Sequence, residues 1–256
     1  MPSILLEIVA STVDDCIAGE TGGADRIELC AAVATGGLTP SLGILIEAKK
    51  RLRIPVLAMI RPRAGGFCYS EADSAAMQCD AALLLEHGAD GIVFGSLRPD
   101  GSVDTTRCST MLHIAGRRQT VFHRAFDVVP EPVRSLEELI DLGVSRVLTS
   151  GQQKTALAGS DLIRQLITQA GGRAEILPGG GVRAHNVQQL VEATRCTQVH
   201  MTALAAQIDP STSNSVLNFG GTPDAPASSY EHVDLEIVRR MRRTLDAITE
   251  AGSTKP

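Results

Sequence analysis

The stretch QTVFHRAFDVVPEP, residues 119–132, begins as an apolar strand in Thr120, Val121 and Phe122, then sets His123, Arg124 and Asp127 within five residues. An unpaired buried charge costs several kcal/mol, so three ionisable groups at the end of such a strand must be paired or used. Which of the two applies depends on where that strand end lies in the fold.

The run is one of eight. ILLEIVA, DRIEL, PVLAMI, DGIVFG, TVFHRA, RVLTSG, AEILPGGG and QVHMTA follow one another along the chain, all rich in Val, Ile and Leu. Between them lie segments of helical period, such as residues 72–86 with Met77, Leu83, Leu84 and Leu85, and residues 137–142 with Leu139 and Ile140. Near-continuous apolar strands alternating with helices predict a parallel sheet covered on both faces. Eight such units in 256 residues predict an α/β fold, a single (β/α)8 TIM barrel. GGAD (22–25), HGAD (87–90) and LGVS (142–145) each put a Gly where a helix ends and a strand follows, and read as one αβ loop used three times.

No linker divides the chain, so residues 1–256 are expected to form one domain. The stretch 207–232 is rich in Ser, Pro, Gly and Asn without a period and predicts a long loop after strand eight. A final helix is expected over residues 233–249, with Ile237, Val238, Met241, Leu245 and Ile248 on one face.

Composition removes several function classes. With 43% hydrophobic and 21% charged residues the chain reads as globular, and a net charge of −5 gives no footprint for nucleic acid or an anionic membrane. The N-terminus lacks a basic leader and no stretch is long and apolar enough to span a bilayer, so a cytoplasmic protein is expected. The six cysteines form no CxxC pair and read as reduced thiols.

In a barrel the ligand site lies at the C-terminal strand ends. There the sequence places Glu7, Glu28, Cys30, Arg61, Arg63, His123, Arg124, Asp127, Ser150, Gly179, Gly180, Gly181 and His200. Glu7 and Glu28 could pair with Arg61 or Arg124 as structural salt bridges or act as acids and bases in the mouth. Arg61 and Arg63 could fix a loop or grip a carboxylate or phosphate. The glycines after strand seven could form a tight turn or bind phosphate through their amides.

RIELC (26–30), GGLTPS (36–41), MIRPR (59–63), FHRAFD (122–127), LTSG (148–151) and PGGGV (178–182) together resemble the CutC family, named for copper homeostasis. The resemblance implies a TIM barrel, a cytoplasmic copper-handling role and a homodimer or higher oligomer. It points to Cys30, His123 and His200 as copper ligands, with Met59 as a fourth. Thr202 stands where the family has Ser, and Cys68 and Cys79 lie outside its pattern.

Three functions remain open. The first, implied by the resemblance, is copper binding. The second is an enzyme of lyase, isomerase or hydrolase type, with Arg61, Arg63, Arg124, Ser150, the three glycines and His200 holding a small anionic substrate. Glu7, Glu28, His123 or Asp127 would then move protons, with an optional metal on the carboxylates. The third is a binding scaffold without turnover.

Overall fold

A computed structural model describes residues 3–212 and 229–253. Eight parallel strands, β1 (Leu5–Ala10), β2 (Arg26–Leu29), β3 (Val56–Met59), β4 (Gly91–Phe94), β5 (Gln119–Phe122), β6 (Arg146–Thr149), β7 (Glu175–Pro178) and β8 (Gln198–Met201), coincide with the eight apolar runs. The ladder runs from β7 back through β1 to β8, and a single parallel bridge between Gly179 and His200 joins its two edges. The result is a (β/α)8 barrel. Its helices are α1 (Val13–Thr21), α2 (Leu42–Lys49), α3 (Glu71–Glu86), α4 (Thr105–Ala115), α5 (Pro132–Leu142), α6 (Ser160–Ala170), α7 (Val187–Thr194) and α8 (Leu235–Ser253).

The three similar loops are one motif. Gly23, Gly88 and Gly143 have φ of +96°, +102° and +90°, the left-handed region that glycine enters without a Cβ penalty. Behind them the amides of Ala24, Ala89 and Val144 reach the carbonyls of Gly19, Leu84 and Leu139, each at 3.0 Å. This is the Schellman closure of a helix end. The next residue then caps a neighbouring strand: Asp25 accepts from the Leu6 amide at 2.7 Å, Asp90 from Val56 at 2.8 Å and Ser145 from Thr120 at 3.3 Å.

Strand alternation divides the side chains into two cores. Leu6, Ile27, Ala58, Ile92, Phe122 and Val199 face the helices. Val9, Cys30, Leu57, Met59, Val93, Val121, Leu148 and Leu177 fill the barrel interior.

The segment expected to be a loop over 207–232 is anchored at both ends by regular structure. β9 (Leu204–Ile208) pairs antiparallel with β10 (Ser229–Val233), matching Leu204 to Val233 and Ile208 to Ser229. The Val233 amide donates to Asp15 Oδ1 at 2.7 Å, which fixes this hairpin to α1. Residues 213–228, the middle of that expected loop, lie outside the described residues. The last helix extends to Ser253 and buries Val238, Met241, Leu245 and Ile248, while Ile237 is half-buried. Among the described residues no helix is long and apolar enough to cross a membrane.

Candidate functional site

At the C-terminal mouth a cavity of about 280 Å³ is lined by Glu28, Cys30, Met59, Arg61, His123 and His200, among others. Its base rests on a layer of charge. Glu7 is buried and accepts from the Arg26 guanidinium; Arg26 also donates to Gln198 Oε1 at 3.0 Å. Gln198 donates to Glu175 at 3.3 Å, and Glu175 pairs with Arg146, which donates to Gln119 at 3.3 Å. The partner of Glu7 is therefore Arg26, not the Arg61 or Arg124 expected from sequence. Alternation along the strands carries this layer: Arg26, Glu28 and Cys30 project inward from β2 and the residue after it, as do Gln198 and His200 from β8.

Glu7 binds upward as well, since its Oε1 lies 2.8 Å from His200 Nδ1. Burial works against its charge, but Arg26 and His200 outweigh it and hold the carboxyl at about 2. Glu28, on the same inner face, has no such arginine. Burial pushes its carboxyl up to about 7, and Oε2 has no hydrogen-bond partner. Burial opposes a charge on His200 too, yet Glu28 and Glu7 raise its pKa above that of a free imidazole. Ligand-capable atoms of Glu7, Glu28 and His200 all lie within 4.8 Å of one another.

His123 is different in kind. Its Nδ1 accepts from the Ala125 amide at 3.2 Å, so in the neutral ring the proton sits on Nε2, which is buried without a partner. Burial, helped by the nearby Arg61 charge, lowers its pKa to about 3 and keeps the ring neutral. Gly95 makes room for it, since a Cβ there would stand 2.5 Å from the ring. A metal at Nε2 would require that proton to move to the occupied Nδ1. The ligand role expected for His123 does not fit this geometry; that of a fixed donor does.

Arg61 is buried and spends its donors on loop carbonyls: Thr35 at 3.0 Å, Gly37 at 2.9 Å and Gly65 at 2.8 Å. No carboxylate pairs with it among the described residues. Arg63 does not share its place. It is held outside the cavity by Asp73 at 3.2 Å and the Cys68 carbonyl at 2.8 Å, because Asp73 also caps the start of α3 with Ser70.

Asp127 and Ser150, expected in the mouth, form a staple beside it. Asp127 accepts from Arg124 at 2.7 Å, Thr149 Oγ1 at 2.5 Å and the Ser150 amide at 2.9 Å, which leaves it no oxygen for proton transfer in the cavity. Arg124 lines the cavity while also donating to Ser150 Oγ at 2.9 Å. Gly180 and Gly181 line it with φ of +102° and +67°; Gly179 instead packs below, where a Cβ would meet Leu148 at 2.6 Å.

Cys30 and Met59 both approach Gly37 from the cavity side. The Cys30 sulfur and the Met59 methyl lie 3.3 and 3.5 Å from where a Gly37 Cβ would stand. Burial, then the neighbouring Glu28, pushes the Cys30 thiol well above the ordinary thiol range. All six cysteines are free thiols; Cys68 and Cys79 alone are exposed.

Fold and site define a (β/α)8 barrel with a cavity at its C-terminal mouth, where barrels of this kind carry their ligand sites. The CutC family model matches residues 4–205, and the chain belongs to the CutC family. A CutC family protein of Treponema denticola is 45% identical over 246 residues, 96% of this chain and 100% of its own. A human protein named as a copper homeostasis protein cutC homolog is 40% identical over 247 residues, 96% of this chain and 89% of its own. The crystal structure of CutC from Streptococcus agalactiae matches with a TM-score of 0.74 and 34% identity, covering 77% of this chain and 98% of that one.

Proposed function

We propose that the chain serves copper homeostasis by holding copper(I) at the barrel mouth, with the Cys30 thiolate and the Met59 thioether as ligands. The observation that carries this reading is that both side chains line one cavity and lie against the same residue, Gly37. Thiolate and thioether are the soft donors that select copper(I). Val9, Val33 and Leu148 line the same cavity and limit water around the sulfurs. The names of the human and mouse relatives point the same way. Because the metal-free protein keeps Cys30 as a thiol, binding releases a proton and weakens as pH falls.

A competition titration of reduced, metal-free protein against a copper(I) chelator tests this. One ion per chain is expected, with Cys30→Ser weakening binding by more than ~100-fold, beyond the usual effect of an outer-sphere residue. Binding that survives Cys30→Ser but disappears in Cys68→Ser/Cys79→Ser would assign the metal to surface thiols.

A second reading rests on Arg61. A buried guanidinium without a carboxylate favours an anionic ligand, and His123 Nε2–H is an unused donor in the same cavity. In this reading the protein is an enzyme of lyase, isomerase or hydrolase type acting on a small anionic substrate. Inorganic phosphate at millimolar concentration is then expected to raise the melting temperature of the protein but not that of a folded Arg61→Met variant. Equal shifts in both would remove Arg61 from the site.

A further inference from the structure

Glu28 and His200 present an arrangement that the copper(I) reading does not use. Glu28 is 3% exposed, and its Oε2 has no hydrogen-bond partner. The nearest guanidinium, Arg26, is committed to Glu7 and Gln198. His200 is oriented through Nδ1 by Glu7, so its other nitrogen, Nε2, is left with no protein partner among the described residues. Both side chains line the cavity.

We propose that Glu28 and His200 Nε2 form a site for a borderline divalent cation of the zinc(II) or cobalt(II) class, opening on the mouth cavity, with Glu7 and Arg26 as positioning residues. Imidazole and carboxylate are the donors that such ions accept, whereas copper(I) prefers sulfur. The Arg26–Glu7–His200 chain has the form of the outer hydrogen bonds that orient a ligating histidine and fix its tautomer. One ligand-capable atom each of Glu7, Glu28 and His200 lies within 4.8 Å of the others. Two bonds of ~2.1 Å reach ~4.2 Å across an ion, so this cluster is compact enough for Glu28 and His200 to close around one by side-chain adjustment.

Two protein ligands leave the remaining positions facing the cavity. They are open to water or to an oxygen of a bound ligand, whereas a closed structural site fills all four positions with protein donors. A cation there would also complement the buried Arg61 in gripping a small anion. The proposal is independent of copper(I) at Cys30 and Met59, and separate variants distinguish the two.

The test is titration of the full, reduced, metal-free chain with cobalt(II) and zinc(II) chloride, in a Cys68→Ser/Cys79→Ser background that removes the exposed thiols. One cobalt(II) per chain is expected, with visible bands but no strong near-ultraviolet thiolate charge transfer. Glu28→Gln and His200→Asn are each expected to weaken binding by more than ~100-fold, and Glu7→Gln by roughly 10–100-fold. Cys30→Ser should leave it unchanged. Circular dichroism melts confirm folding, and the use of two ligand variants keeps the test decisive if one fails to fold. Cobalt(II) binding that is undiminished in the folded ligand variants, or lost in Cys30→Ser, overturns the proposal, as does binding no tighter than that of exposed histidines.

Discussion

Replacing Arg26 with methionine is expected to destabilise the protein by about 3–5 kcal/mol, the cost of leaving a buried partner charge alone. Glu7 is 1% exposed and would keep only His200 as a hydrogen-bond partner. The sign with pH follows from Glu7. Its folded carboxyl is depressed to about 2 from an ordinary 4.5, so its pairing contributes stability above pH 4.5 that is lost as pH falls through about 2. The Arg26→Met deficit should therefore be largest near neutrality and shrink in acid, where both proteins carry a protonated Glu7. Adding Glu7→Gln should recover most of it. Urea denaturation of the single and double variants measures this; a single variant within 1 kcal/mol of wild type would show that the floor is not a coupled ion pair.

Glu28→Gln is expected to act in the opposite direction. Burial raises the folded carboxyl from 4.5 to about 7, so between those values the folded protein holds a proton that the unfolded chain has released. Stability then falls as pH rises through that window, at up to ~1.4 kcal/mol per unit. Glutamine removes the dependence. The charged and titratable groups facing Glu28 are His200, Glu7 and Arg26. The charges of His200 and Arg26, which favour the ionised carboxyl, are already contained in the value of about 7. The variant should thus gain on the order of 3 kcal/mol over wild type between pH 4.5 and pH 8. Parallel stability curves for the two proteins would contradict an uncompensated Glu28.

The barrel is legible because its strands are buried on both faces and so read as continuous apolar runs. The three Schellman loops are legible for a local reason: Gly23, Gly88 and Gly143 need a positive φ wherever they occur. The hairpin of β9 and β10 is hidden. Its backbone ladder joins LAAQI and SYEHV across a polar stretch and leaves Ile208 and Tyr230 exposed, so no apolar period marks it.

At the mouth the sequence brings the right strand ends together without saying which way each side chain turns. Glu28, Cys30, Arg61, His123, Arg124 and His200 reach one cavity. Arg63 and Asp127 do not, because Asp73 and the amides after β6 hold them aside. The floor of Arg26, Arg146 and Glu175 is missed by attention to strand ends alone. Its signal was available, since each stands two residues before an inward-facing position on its own strand.

X-ray absorption at the copper edge of the reduced, copper(I)-loaded chain tests the proposed role of the mouth most directly. A first shell dominated by two sulfur scatterers is expected, reduced to one in Met59→Leu and lost in Cys30→Ser. A shell of nitrogen and oxygen only, unchanged by either substitution, would contradict a sulfur site at Cys30 and Met59 and leave the cavity to a small anionic ligand.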